Sequence, residues 1–192
     1  PETTAVLAAH ALIQLADIAV RAGDLEAARG FLFRARTLPA GDDAARLAIA
    51  ENLAVTLDGD GGRALRAYFW GGSPRFPPPP AIRVAHAMDV IEAMPASPLG
   101  YYLLGRNLVG LGAPEEVVAA LARALDIGFD GPLFTRECAR LLAAQAFMAQ
   151  NYQEVERAAE ILADPAQPTV TRLLGRDWIE RIYFARHGKL PP

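Results

Sequence analysis

The chain has 192 residues, 52% of them hydrophobic and 21% charged, enough for one domain with a continuous core and too apolar for a disordered segment. A net charge of −3 and a pI near 5.6 exclude the general basic field on which nucleic-acid binding rests. A single cysteine, Cys138, excludes an internal disulfide and a thiolate metal cage, and no window offers the roughly 18 clean apolar residues of a membrane span.

Read in sequence order for helical periodicity, the residues predict ten segments: 3–22, 24–37, 43–58, a short 63–70, 82–94, 98–111, 114–127, 133–149, 152–163 and 168–187. The breaks fall at turn chemistry: Ala22-Gly23-Asp24, Pro39 to Asp42, Gly59-Asp60-Gly61-Gly62, Gly112-Ala113-Pro114, Gly128 to Pro132 and Asp164-Pro165. No segment alternates with period two, so sheet is not expected. Short breaks between long helices imply antiparallel hairpins.

A leucine followed by a small residue recurs as Leu15-Ala16, Leu53-Ala54, Leu104-Gly105, Leu142-Ala143 and Leu174-Gly175, at spacings of 38, 51, 38 and 32 residues. Four residues on stand Ala19, Leu57, Leu108, Ala146 and Trp178. Eight on stand Gly23, Gly61 and Gly112, read as hairpin turns, and then Gln150 beside Asn151-Tyr152. The small residues are expected where helix axes cross closely.

These residues resemble the tetratricopeptide repeat. The best match is Tyr101 to Ile127, through Leu104-Gly105, Leu108, Gly112, Val117, Leu121 and Ala124-Leu125. The first repeat matches through Leu15, Ala16, Gly23-Asp24, Ala28, Leu32 and Ala35, and the fourth through Leu142, Ala143, Tyr152, Val155 and Leu162. The resemblance implies an all-α fold: a right-handed α-solenoid of about four helix pairs plus a capping C-terminal helix, forming one domain over 1–192. The period departs from the family's ~34 residues, and the second repeat is degenerate. Segment 71–80, with four prolines from Pro77 to Pro80, is read as an insertion, and 82–94 as the helix that completes the second layer. The prolines form a stiff spacer, or, with Trp70, Arg75 and Phe76, a docking element.

Catalytic and metal constellations are not expected. His10, His86 and His187 lie on separate segments without a second ligand at i+3 or i+4, and Cys138 reads as a packed thiol. Asp58-Gly-Asp60-Gly-Gly62 has the outline of a calcium loop, but an arginine replaces its sharp-turn glycine and Phe69 its closing glutamate, so it reads as a turn. No cofactor motif is present.

The first helix of each pair lines the concave face in proteins this one resembles. Two residues either side of the repeat leucines, that face carries Tyr102, Arg106, Arg140, Arg172 and Arg176, with Phe147 near. Arginine pairs bidentately with carboxylates, so the expected ligand is a protein or peptide, either acidic or presenting its terminal carboxylate. The plainer alternative is a solvated face with local pairs such as Arg176 with Glu180.

The sequence thus points to a non-catalytic scaffold or adaptor that binds protein through a helical groove. Two alternatives stay open: an accessory domain of a larger membrane-associated enzyme, and a self-assembling structural subunit in which Ile179 and Tyr183 of the last helix make a homodimer contact. The first residue is Pro1, without an initiator methionine, so a mature product or an excised piece is expected. An arginine-dominated basic complement, with Lys189 the sole lysine, suits a GC-rich bacterial genome, with cytoplasm and periplasm both possible.

Overall fold

The computed structural model describes residues 2–38, 43–70 and 78–189, and among these all regular structure is α-helical. The helices are α1 (Glu2–Arg21), α2 (Leu25–Thr37), α3 (Asp43–Val55), α4 (Gly59–Trp70), α5 (Pro80–Ala93), α6 (Pro98–Leu108), α7 (Pro114–Ile127), α8 (Pro132–Met148), α9 (Tyr152–Ala163) and α10 (Thr169–His187). They fall into two compact units, 1–78 and 79–192. Residues 71–77, most of the proline-rich insertion including Arg75 and Phe76, lie outside the described residues. The last of its prolines, Pro80, is already helical and opens α5.

In the first unit α1 and α2 form a hairpin, α3 packs on both, and α4 packs on α3. The core joins Ala16, Ala19 and Val20 of α1 to Ala28 and Leu32 of α2 and Val55 of α3. The hairpin turn follows from two residues. Gly23 takes φ +81, open to glycine without cost, and Asp24 N–H then reaches back to Ala19 O at 2.9 Å. Asp24 starts the next helix by accepting from Ala27 N at 2.9 Å.

In the second unit each helix from α5 to α10 packs on the next. Proline supplies the first position of α5, α6, α7 and α8, where its missing N–H costs nothing and its fixed φ suits the helix. The α8–α9 turn repeats the first hairpin: Gln150 sits at φ 56, Asn151 N–H reaches Ala146 O at 2.8 Å, and Asn151 caps α9 through Glu154 N. Both turns stand eight residues after the repeat leucine. The left-handed residues at the other two turns, Gly59 and Gly110, come six residues after Leu53 and Leu104; Gly112 lies in the α6–α7 turn as expected, whereas Gly61 is taken into α4.

Burial follows a common register. Thirteen residues after Leu15, Leu104 and Leu142 begin the triplets Ala28-Leu32-Ala35, Val117-Leu121-Ala124 and Val155-Ala159-Leu162, each at i, i+4, i+7 and each essentially buried. In α1 the small residue, more than the leucine, marks the crossing, Ala16 being 1% exposed and Leu15 44% exposed, whereas in α8 Leu142 and Ala143 are both buried. A Cβ on Gly105 would lie 2.7 Å from Leu121 Cγ, and one on Gly175 2.5 Å from Ala163 N, so both glycines are set by close helix approach.

The second pair departs from this register. Helix α3 ends at Val55 and not at 58, and α4 starts at Gly59 and not at 63, taking Gly61 and Gly62 into its first turn. The helix expected to complete this layer, 82–94, is instead α5 and packs on α6 in the second unit, while α4 packs on α3. Besides the packing of Val55 in the core, hydrogen bonds at its C-terminal end tie α3 to its neighbours. Arg66 of α4 donates to Val55 O at 2.9 Å and Leu57 O at 3.1 Å, and Arg29 of α2 donates to Thr56 O and to Asp58. Apart from the Asp58 carboxylate, the acceptors are carbonyls that a helix end leaves without partners, and the cations also suit its negative pole.

Candidate functional site

Reactive side chains do not converge among the described residues, and no group of three His, Cys, Asp or Glu is placed to hold a metal ion. His10 is exposed, His86 pairs with Asp89 at 3.2 Å, and His187 lies against the Tyr183 ring. Cys138 is buried in α8 and donates to Leu121 O at 3.4 Å, and burial pushes its thiol pKa up to about 12. The acidic residues of the calcium-like segment are engaged in ion pairs, Asp58 with Arg29 and Asp60 with Arg63. No helix among the described residues is long and apolar enough to cross a membrane.

The arginine face is largely occupied by its own neighbours. Tyr102, expected as an exposed anchor, is fully buried, with Phe129 and Phe134 edge-on at 6.1 and 5.6 Å. The cause is the turn of α6, which carries positions 102 and 105 on one face, and Gly105 must meet α7. The Arg106 guanidinium lies 5.5 Å from the centre of the Tyr102 ring. Arg140 is closed in a two-pronged pair with Glu137 at 2.6 and 2.7 Å, and that carboxylate holds its charge more firmly still. Phe147 is half-buried between Tyr152 and Trp178, at 6.0 and 5.6 Å. Arg172 donates to Thr169 of its own helix at 3.3 Å. Arg176 is exposed, and a pair with Glu180 is not among the ion pairs of the described residues. Of the six residues, therefore, Tyr102 is core, and Arg140 reaches a ligand only by giving up Glu137.

An open apolar site lies elsewhere, between α5, α6 and α7. These helices leave a groove of about 540 Å³ lined by Val84 and Met88 of α5, Tyr101, Leu104 and Leu108 of α6, and Glu116, Ala119, Ala120 and Arg123 of α7. Its origin is a close crossing next to it. A Cβ on Gly100 would lie 2.8 Å from Ile91 Cγ1, so α5 and α6 touch where their connection is short. One turn further along both helices the groove opens at Met88 and Leu104. Met88 is 59% exposed, although its unbranched side chain would be suited to a core. Polar groups are confined to the rim, where Arg123 stands 5.9 Å over the Tyr101 ring and Glu116 accepts from Ala113 N at 3.2 Å. Sequence reasoning assigned Leu104 and Leu108 to the repeat core and gave Met88 no role. The one signal for it was the apolar run Val84, Met88 and Ile91 along one face of α5.

Comparison with protein-family models, curated proteins and solved structures gives no match for this protein.

Proposed function

We propose that the protein is a non-catalytic protein-binding module built of tetratricopeptide-like helix pairs stacked as an α-solenoid, and that it holds its partner in the groove between α5, α6 and α7. The shared register of buried triplets in α2, α7 and α9, and the shared turn of the first and fourth pairs, support the repeat. The observation that carries the function is the groove: an apolar floor of Leu104, Leu108 and Ala120 under an exposed methionine, with charge only at the rim. Its charged groups, Glu116 and Arg123, stand at the rim and not on the floor, and apolar side chains of a protein segment laid along that floor would find both contact and release from water.

Peptides selected from a displayed random library on the full-length protein test this reading. Met88→Lys and Ala119→Arg are each expected to weaken a selected peptide by tenfold or more, since a charge would be buried against it unpaired. Loss confined to Arg106→Ala and Arg140→Ala would return the site to the arginine face. A selection that enriches nothing would overturn peptide binding altogether.

A further inference from the structure

We infer that the occupant of the α5–α7 groove is an amphipathic helix lying antiparallel to α7, with an acidic residue for Arg123 and a basic residue seven positions later for Glu116. The inference rests on the groove reading and adds the partner's conformation, direction and charge.

The conformation follows from the walls. All three are helices, whose backbone groups are satisfied internally, so the groove has no edge to which an extended peptide could bond. Such a peptide would carry unpaired N–H and C=O groups over Leu104 and Leu108, whereas a helix brings its own backbone already satisfied. Ala119 and Ala120 make one wall low, so a second helix axis can approach α7 to the ~8–10 Å usual for packed helices. Met88 and Val84 form the opposite wall, and a methionine adapts to whichever apolar side chains enter.

The direction follows from charge. Glu116 is in the first turn of α7 and Arg123 is seven residues on, roughly 10 Å along the axis. The groove therefore has a negative end and a positive end on the same wall, and Glu115 beside Glu116 strengthens the former. A helix with its acidic residue near its own N-terminus and its basic residue two turns later meets both ends with opposite sign only when it runs antiparallel to α7. That arrangement also sets each charge at the favourable pole of the occupant's own dipole. The reversed sequence, in the same orientation, would bring like charges together.

Two capped synthetic peptides of identical composition, about four turns long, provide the test. Both carry leucines at i, i+3, i+4 and i+7; one has glutamate in the first turn and arginine seven residues later, and the other has the two exchanged. Titrated by fluorescence anisotropy against the full-length protein, the acid-first peptide is expected to bind about threefold more tightly, since the exchanged peptide meets both ends with opposite sign only by turning parallel to α7, which sets each of its charges at the unfavourable pole of its own helix. Arg123→Glu, at an exposed position, is expected to cancel or invert that preference. Equal affinities for the two peptides, both lost with Met88→Lys, would overturn the orientation while leaving the groove as the site. Failure of both peptides to bind at about 1 mM, where library-selected peptides do bind, would overturn the helical occupant.

Discussion

Two helix pairs of this protein, α3–α4 and α6–α7, solve the same problem by different means. In α6–α7 the spacing from Leu104 follows the common register, and the pair is held by packing: Gly105 lets Leu121 lie against the α6 backbone, with Val117 and Ala124 buried a turn to either side. In α3–α4 the register is lost. Arg66, at the position that is Ala28, Val117 or Val155 in the other pairs, cannot be buried among apolar side chains, and it instead caps α3. A helix pair can therefore tolerate a polar residue in place of a buried apolar one when that residue finds the unpaired carbonyls of the preceding helix. The substitute is directional, so it depends on geometry more strictly than packing does.

The comparison can be broken most severely at Gly62. It lies beneath the carbonyl of Leu57, so close that any Cβ would overlap a backbone atom, and that carbonyl also accepts from Arg66. Gly62→Val is expected to cost at least about 3 kcal/mol, since a backbone clash cannot be relieved by a rotamer change. Hydrogen exchange should then show α3 and α4 deprotected while amides of α6 to α9 keep their protection. Uniform loss over both units, or none, would contradict the picture. Arg66→Ala is the next largest: it leaves Val55 O and Leu57 O to water, and an expected loss of roughly 1.5–3 kcal/mol follows from hydrogen bonds to a charged donor. Urea denaturation followed by exchange at α3 would measure it, and Arg66→Lys should recover only part, because one ammonium does not present the same fork.

These two residues also mark where the fold was legible and where it was not. The ten helices of the described residues announce themselves through 3.6-residue periodicity and through punctuation by Gly, Pro and Asp, and nine of them begin and end within about three residues of expectation. The exception is α4: Gly59-Asp60-Gly61-Gly62 has turn composition, yet all four residues are helical, and Gly62 lies under the Leu57 carbonyl. No local pattern carries that contact. Within the candidate face, Tyr102 is displaced for a related reason. Counting two residues either side of a leucine identifies a stripe, but the roll of α6 is set by Gly105 against Leu121, which sends Tyr102 inward. The groove was missed because Leu104 and Leu108 look like core, and whether α5 covers them depends on how it leaves the Gly100–Ile91 crossing.

On the packed side of the comparison the effects are smaller. Gly105→Leu is expected to destabilise by roughly 1–3 kcal/mol through overpacking, since Leu121 yields in part by changing rotamer. A neutral result in thermal denaturation would mean that this crossing does not control the pair.

Cys138, which bonds to the carbonyl of the same Leu121, sharpens the point with pH. Its folded pKa is raised, so the unfolded thiol loses its proton first. The stabilisation is complete below about pH 8.5, the ordinary thiol value, and is lost as pH rises toward about 12, at no more than about 1.4 kcal/mol per pH unit. Cys138→Ala should remove that slope, which parallel denaturation curves at pH 8 and 10 (roughly one and a half units within the window) would reveal. Identical pH dependence in the two proteins would place the thiol in a wetter setting than its burial indicates.

The smallest expected effect on stability is the most informative about function. Met88 is 59% exposed and contributes to a wall of the groove, not to a crossing, so Met88→Lys should leave the unfolding free energy within about 0.5 kcal/mol of the original. A lysine there keeps a long flexible stem against Leu104 and places its charge in water, which is why the fold should not notice. Binding of a groove ligand should notice, because a closing partner would strip that charge of solvent. Stability and binding thus separate at this residue, whereas at Gly105 or Gly62 they would fall together. If Met88→Lys lowers stability by as much as Gly105→Leu does, α5 is packed more tightly over α6 than the open groove allows, and the site loses its main support.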